Sequence, residues 1–363
     1  MSIPIKPNCI ATAIGSFPHP EASPALDIVF ASLPDAPLWP QLPRRGLYEQ
    51  MEIQYSEGMP CAKIDAEKGR MHFETGGDYS EEFASFYETY LAAAEAGSGE
   101  GDFSALAISQ AFSQGLHAFE ERLKAGGKRY PYLKVQTTGP CSFALTITDE
   151  NKRAIFYQEE FRDMIVKALS MKCRWQIQRF QRYAERMICF IDEPILSAFG
   201  SSTYIAVKRE EVVAMVAEQV QAVHAEDAVA GVHCCGNTDW TMLIDAGVDL
   251  INLDAFSYGE TIALYPDAMR RFLESGGLIA WGIVPTSQAV REQTPEGLLE
   301  RFGTLVDLLA AKTSMPKDLI LSQSLVTPSC GTGSLSVADA ERVFALLKEL
   351  SLLARARFSL DEE

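Results

Sequence analysis

No stretch of this chain approaches the ~18 consecutive apolar residues of a membrane-spanning helix. Met1 to Cys9 has no charged region followed by an apolar one with a small-residue cleavage site, so no secretory leader is expected and the protein is placed in the cytoplasm. The basic residues form no long cluster, and 32 Lys and Arg stand against 49 Asp and Glu, a net charge of −17. That balance argues against a nucleic-acid or anionic-membrane surface. A Gly-rich dinucleotide fingerprint is also missing after the first strand, which weighs against a Rossmann fold. In a reducing compartment the eight cysteines stay as thiols, so a disulfide scaffold is not expected. Cys173, in a helical pattern, and Cys189, in an apolar strand, read as core fillers.

What is present is a normal core composition, 47% hydrophobic and 22% charged over 363 residues. That length suits two ordinary domains or one large α/β barrel. Short β-rich runs at 10–15, 133–137, 187–191, 229–233, 248–253, 278–283 and 319–326 alternate with amphipathic stretches. The helical patterns lie at 80–96, 103–124, 158–186, 209–224, 261–275 and 295–311, with a last helix from near Ser336 to Ala356. Ser336 and Asp339 resemble a capping box at its start. Such alternation implies a parallel sheet covered by helices. The reading is one α/β (β/α)8 TIM barrel with loop insertions, a single catalytic domain over 1–363. Seven strands are visible, and the missing second strand is expected between Phe30 and Ile64. Residues 97–102, rich in Gly, read as a flexible loop within that unit.

Barrel chemistry sits where strands end and βα loops begin. The polar residues of the chain collect at those points: Gly15-Ser16, Asp192-Glu193, His233-Cys234-Cys235, Asp254 and Cys330. His233 and Cys235, two apart in a strand, point to one face, and Cys330 at another strand end completes a soft N/S₂ cage for zinc. Three protein ligands leave a position open for a thiol substrate, which the metal would hold as thiolate. Cys234 points the other way; a vicinal redox pair with Cys235 is the competing chemistry. Asp254 is read as a fourth ligand, a partner of His233 or a cap for the next loop, with Glu260 a weaker ligand.

Asp192 and Glu193 project to opposite sides of an extended strand, so one of them faces the mouth and could hold a substrate ammonium. The hydroxyl of Ser16, after Gly15, and nearby backbone amides could receive a carboxylate. The aromatic, Pro-rich and basic segment 39–45 reads as a structural loop or as a lid whose Arg44 and Arg45 meet an anionic group. His72, His117 and His224 have no Cys or acid constellation and read as surface residues.

With those residues in place, the chain resembles the superfamily containing the catalytic barrel of cobalamin-independent methionine synthase and the uroporphyrinogen-decarboxylase-like zinc methyltransferases. Ile14-Gly15-Ser16-Phe17-Pro18 looks like its homocysteine-contacting motif. Ile191-Asp192-Glu193-Pro194 looks like its acidic motif, whose Asp contacts the homocysteine amine. His233-Cys234-Cys235 and Pro328-Ser329-Cys330-Gly331 look like its zinc segments, with Asp254 where the family often carries a Glu ligand. The resemblance implies a TIM barrel, catalytic zinc and methyl transfer to a thiol, homocysteine or coenzyme M. The chain is too short for the additional N-terminal barrel of the long folate-dependent synthases. At Trp281-Gly282-Ile283-Val284-Pro285-Thr286 it lacks the His that assists protonation of the departing folate. A methylated corrinoid needs no such acid, so a methylcobamide or corrinoid protein is the expected donor.

Overall fold

The computed structural model describes residues 5–95 and 97–360. Ala96, at the expected end of the 80–96 helix, and part of the 1–9 segment lie outside the described residues. The strands are β1 Ile10–Ala11, β2 Ala62–Asp65, β3 Arg70–Phe73, β4 Tyr130–Thr138, β5 Thr148–Asp149, β6 Ala184–Asp192, β7 Val229–Cys234, β8 Leu250–Leu253, β9 Leu278–Val284 and β10 Ser324–Pro328. Seven of them form one parallel sheet in the order β1-β10-β9-β8-β7-β6-β4, and β2, β3 and β5 form a small separate sheet. The fold is therefore α/β with a curled parallel sheet of TIM-barrel type, as the alternation implies.

The eighth place is filled without a regular strand. Residues 35–41 run between the two sheet edges: Tyr132 N and Lys134 N of β4 donate to Asp35 O and Pro37 O, each at 2.9 Å. On the other side Thr12 Oγ1 donates to Ala36 O at 3.0 Å, and Gln41 N to Gly15 O at 2.9 Å. The missing strand thus falls in the expected 30–64 region. Pro34, Pro37 and Pro40 explain why it stays irregular, because proline has no N–H to give a ladder.

Strand ends differ from expectation where a short apolar run fits either period. The 319–326 run divides into a helix, Lys317–Ser322, and β10 beginning at Ser324. The 103–124 pattern keeps one 3-10 turn at Ser104–Leu106 and an α-helix only over Gln114–Gly126, started by Ser113 Oγ accepting from Leu116 N at 3.3 Å and ended by left-handed Gly127. The 158–186 pattern stops as a helix at Phe180, since β6 begins at Ala184.

Inside the sheet's curl, Ile10, Ala36, Ile188, Phe190, Val229, Leu250, Leu278, Ala280 and Leu325 form their own apolar cluster. Each Ile, Val, Leu or Phe side chain among them contributes about 1.5–3 kcal/mol by leaving water. Further along the strands the inward positions turn polar: His233, Asn252 and Thr327 are buried there, beside half-buried Asp192, while buried Lys134 and Gln136 of β4 lie in register with Ile188 and Phe190. Among the described residues no helix is long and apolar enough to cross a membrane. None of the eight cysteines is bridged.

The 97–102 loop is tied down rather than free. Gly99 N donates to Glu226 Oε2 at 2.8 Å, while Glu226 Oε1 accepts from buried Arg174 Nε at 2.7 Å. Breaking a buried pair by removing one partner costs about 3–5 kcal/mol. Chemical denaturation of Glu226→Ala is therefore expected to show a loss of that size. Cleavage within 97–101 by a nonspecific protease should accelerate; unchanged stability would mean that Arg174 needs no carboxylate.

Candidate metal centre

His233, Cys235 and Cys330 converge: one ligand atom from each lies within 4.8 Å of the other two. The sheet explains how. His233 of β7 and Asp192 of β6 share a register position, with Asn252 of β8 next in the same row. Neighbours opposite one another in a parallel sheet point to the same side, here inward. Cys235 follows the end of β7 and Cys330 the end of β10, and the curl brings these two ends together.

His233 is 2% exposed, and its Nδ1 lies 2.6 Å from Asn252 Oδ1. Its Nε2 is buried with no hydrogen-bond partner. The Cys235 thiol is shifted well below its ordinary value, first by hydrogen bonding with Cys330 and then by His233. Cys330 is shifted up by the same contact and by burial. One orphaned imidazole nitrogen and two close sulfurs, one readily ionised, suit a borderline-soft divalent cation. Tetrahedral zinc places such donors roughly 3.5–3.8 Å apart, consistent with this cluster.

Of the roles open to Asp254, the structure shows the cap. It precedes the short helix Ala255–Tyr258, and its Oδ1 accepts from Ser257 N at 2.8 Å. Neither Asp254 nor the exposed Glu260 belongs to the cluster. Cys234 points away, is buried, and has its thiol pushed up to about 12 by burial.

Between the paired acids, Asp192 faces the centre. Its Oδ1 is buried without a partner, and burial raises the carboxyl to about 6 against the pull of Lys134 and His233. Glu193 turns the other way and accepts from Cys141 N at 2.8 Å and from Ser142 N and Oγ at 2.7 Å. It holds the start of the helix Pro140–Thr146. Gly139 makes this possible, since a Cβ there would lie 2.2 Å from the Glu193 carboxyl carbon.

Gly15 has φ +140°, and a Cβ on it would meet Gln136 Nε2 at 2.6 Å. Ser16 Oγ accepts from Gly333 N at 3.2 Å, and its carbonyl accepts from Thr332 N at 2.9 Å. The motif thus packs against the loop that follows Cys330. Arg44 and Arg45 are not lid cations facing a substrate. Arg44 donates to the carbonyls of Ser334 and Leu335, and Arg45 to Glu49 and Pro20 O. His224 is exposed and pairs with Asp249 at 2.7 Å, as a surface residue should. His72 and His117 are only half-exposed: His72 lies on the face of β3 opposite buried Met71 and Phe73, and Ile108 O lies 2.9 Å from Nε2 of His117.

Four interior residues escaped the sequence reading: Asn252, Lys134, Gln136 and His19. A polar residue recurring at alternate positions of an apolar strand was the available signal for the first three. Lys134 is fully buried, donates to Ile14 O and to Gln136 Oε1, and sits 4.6 Å from the Phe190 ring centre. His19 is 3% exposed, and neither ring nitrogen has a partner. A cleft of about 610 Å³ opens beside Cys235, lined also by Ser197, Phe199, Asn237, Tyr258 and Tyr265.

No protein-family model and no curated protein matches the chain. Among solved structures it is similar to a B12-independent methionine synthase from Shewanella sp. W3-18-1 in complex with selenomethionine. The two share 15% identity over 66% of this chain and 67% of that one, with a TM-score of 0.43. A xylose isomerase-like TIM barrel/4-hydroxyphenylpyruvate dioxygenase fusion protein is similar at 12% identity over 67% of this chain and 42% of that one, with a TM-score of 0.32. At such distances the chemistry is read from the residues of the site itself.

Cys330→Ser is expected to lose stoichiometric zinc measured by elemental analysis, while Glu260→Gln retains it. Lys134 gives a pH signature. Burial lowers its ammonium to about 8, so charged Lys134 opposes folding below that pH. Between about pH 8 and about 10.5 the unfolded chain binds more protons than the folded one, so stability rises with pH there. In denaturation at both limits, wild type should therefore gain on Lys134→Met as the pH rises; a constant difference would contradict this.

Proposed function

We propose that the protein is a zinc-dependent methyltransferase that acts on a thiol, with homocysteine as acceptor and a methylcobamide, free or on a corrinoid protein, as donor. The observation that carries this reading is the convergence of His233, Cys235 and Cys330 at the strand ends. Among the described residues no fourth acid or thiol joins them, which leaves a place for a substrate sulfur. Zinc bound there would lower the pKa of that thiol and hold its sulfur as the nucleophile.

The chain's own groups then recognise the rest of the substrate. Asp192 Oδ1, buried and unpartnered, accepts hydrogen bonds from the ammonium. Ser16, whose oxygen already accepts from Gly333 N, keeps its own proton to donate to the carboxylate. An acid in that place favours homocysteine over coenzyme M, which has a sulfonate and no amine. The cleft beside Cys235 supplies the route by which a donor meets the sulfur. In the transfer, the sulfur's electron pair forms the new S–CH₃ bond. The donor's bond to that carbon breaks, and its pair leaves with the donor.

No His occupies 281–286: Trp281 Nε1 donates outward to Ser324 Oγ at 3.0 Å, and Thr286 N donates to Ser329 Oγ. A leaving group that departs without a proton suits this segment, as a reduced corrinoid does and an unprotonated folate amine does not.

Zinc-loaded protein incubated with homocysteine should form methionine from methylcobalamin and not from methylfolate. Asp192→Asn should lower kcat/KM for homocysteine ~10–150-fold, the effect of about 1.5–3 kcal/mol for a hydrogen bond to a charged group. No product with either donor, at full zinc occupancy, would reject the methyltransferase reading.

A further inference from the structure

Asn252 lies in the middle of an apolar strand and is 0% exposed. A buried amide with four hydrogen-bonding positions is costly unless its partners are arranged for it. Here its partners come from three other strands. Oδ1 faces His233 Nδ1 of β7 at 2.6 Å. Nδ2 donates to the carbonyl of Ala280 in β9 at 2.8 Å and to Thr327 Oγ1 in β10 at 2.9 Å.

These contacts decide which way the amide points. The Ala280 carbonyl can only accept, so the group facing it must be the NH₂; a flipped amide would set two oxygens against each other. Oδ1 is then obliged to face His233, and as an acceptor it requires a proton on Nδ1. The remaining nitrogen, Nε2, presents its lone pair, and it is the one that is buried without a partner beside Cys235 and Cys330. Thr327 also belongs to the strand that ends just before Cys330, so the same amide links the strands carrying both halves of the cluster.

We propose that Asn252 is the positioning residue of the metal centre: through Ala280 and Thr327 it fixes the Nδ1–H form of His233 and aims Nε2 at the two sulfurs. This rests on the metal-binding reading above, but its first consequence holds without metal. The function otherwise open to Asp254, orienting the imidazole, belongs to Asn252, because Asp254 is engaged with Ser257 N.

Nitrogen-15 NMR of histidine-labelled, metal-free protein reads the proton positions directly. The His233 signal is assigned by its loss in His233→Gln. Wild type should show Nδ1 protonated. Asn252→Asp, which keeps an oxygen acceptor, should retain that state; Asn252→Leu should give a mixture of the two forms. In competition with a chromophoric chelator, Asn252→Leu should bind zinc 10–100-fold more weakly than wild type. An unprotonated Nδ1 in wild type overturns the proposal, and that measurement needs no variant to fold. So does a folded Asn252→Leu with wild-type proton positions and zinc affinity. Failure of wild type to bind zinc, with Nδ1 protonated, would instead reject the metal reading and leave the assignment of Asn252 standing.

Discussion

The curl of one parallel sheet governs everything at the mouth of this protein. Parallel strands in register put Asp192, His233 and Asn252 side by side on the inner face. Two further strands separate His233's strand from the one that delivers Cys330. In a flat sheet, strands about 4.8 Å apart would hold those ends some 14 Å from each other. Curvature removes that separation and brings the ligand atoms within 4.8 Å. The same curvature explains the apolar cluster beneath, since nine side chains from around the sheet fill one interior and resist its flattening.

Polarity inside the curl is graded along the strand direction. Ile188, Phe190 and Asp192 follow one another inward on β6, and Val229, Gly231 and His233 on β7. The apolar lower part supplies cohesion. The upper part places a carboxylate, an imidazole and an amide in surroundings where each must be partnered or functional. Glu193, Asp254, Arg44 and Arg45 are all accounted for by backbone contacts. Asp192 Oδ1 and His233 Nε2 are not, and they stand on adjacent strands facing the same place. This contrast separates the residues that hold the scaffold from those free to meet a ligand.

Much of this was legible in one dimension because the signals are local. The alternation of β-rich and amphipathic runs reflects burial on each strand and helix separately, and it led to the parallel sheet. His233 and Cys235 are two apart, and a period of two is enough to put them on one face. The eighth position was harder. Pro34, Pro37 and Pro40 erase the pattern by which a strand is recognised, while 35–41 still makes the contacts that join both edges. The 319–326 run misled for the opposite reason: three consecutive apolar residues, Leu319 to Leu321, satisfy helix and strand alike, and only packing assigned 317–322 to a helix.

Sequence alone determined the chemical inventory and the faces on which it lies: soft ligands at the strand ends, opposed directions for Asp192 and Glu193, and a chain built of parallel βα units. Those follow from backbone periodicity, which acts over a few residues. Tertiary structure decided the partners. It gave the imidazole to Asn252 rather than Asp254, joined Ser16 to the loop after Cys330, and buried Lys134 within the curl. Such pairings depend on strand order, curvature and register across as many as 317 residues of chain, and no local pattern encodes them.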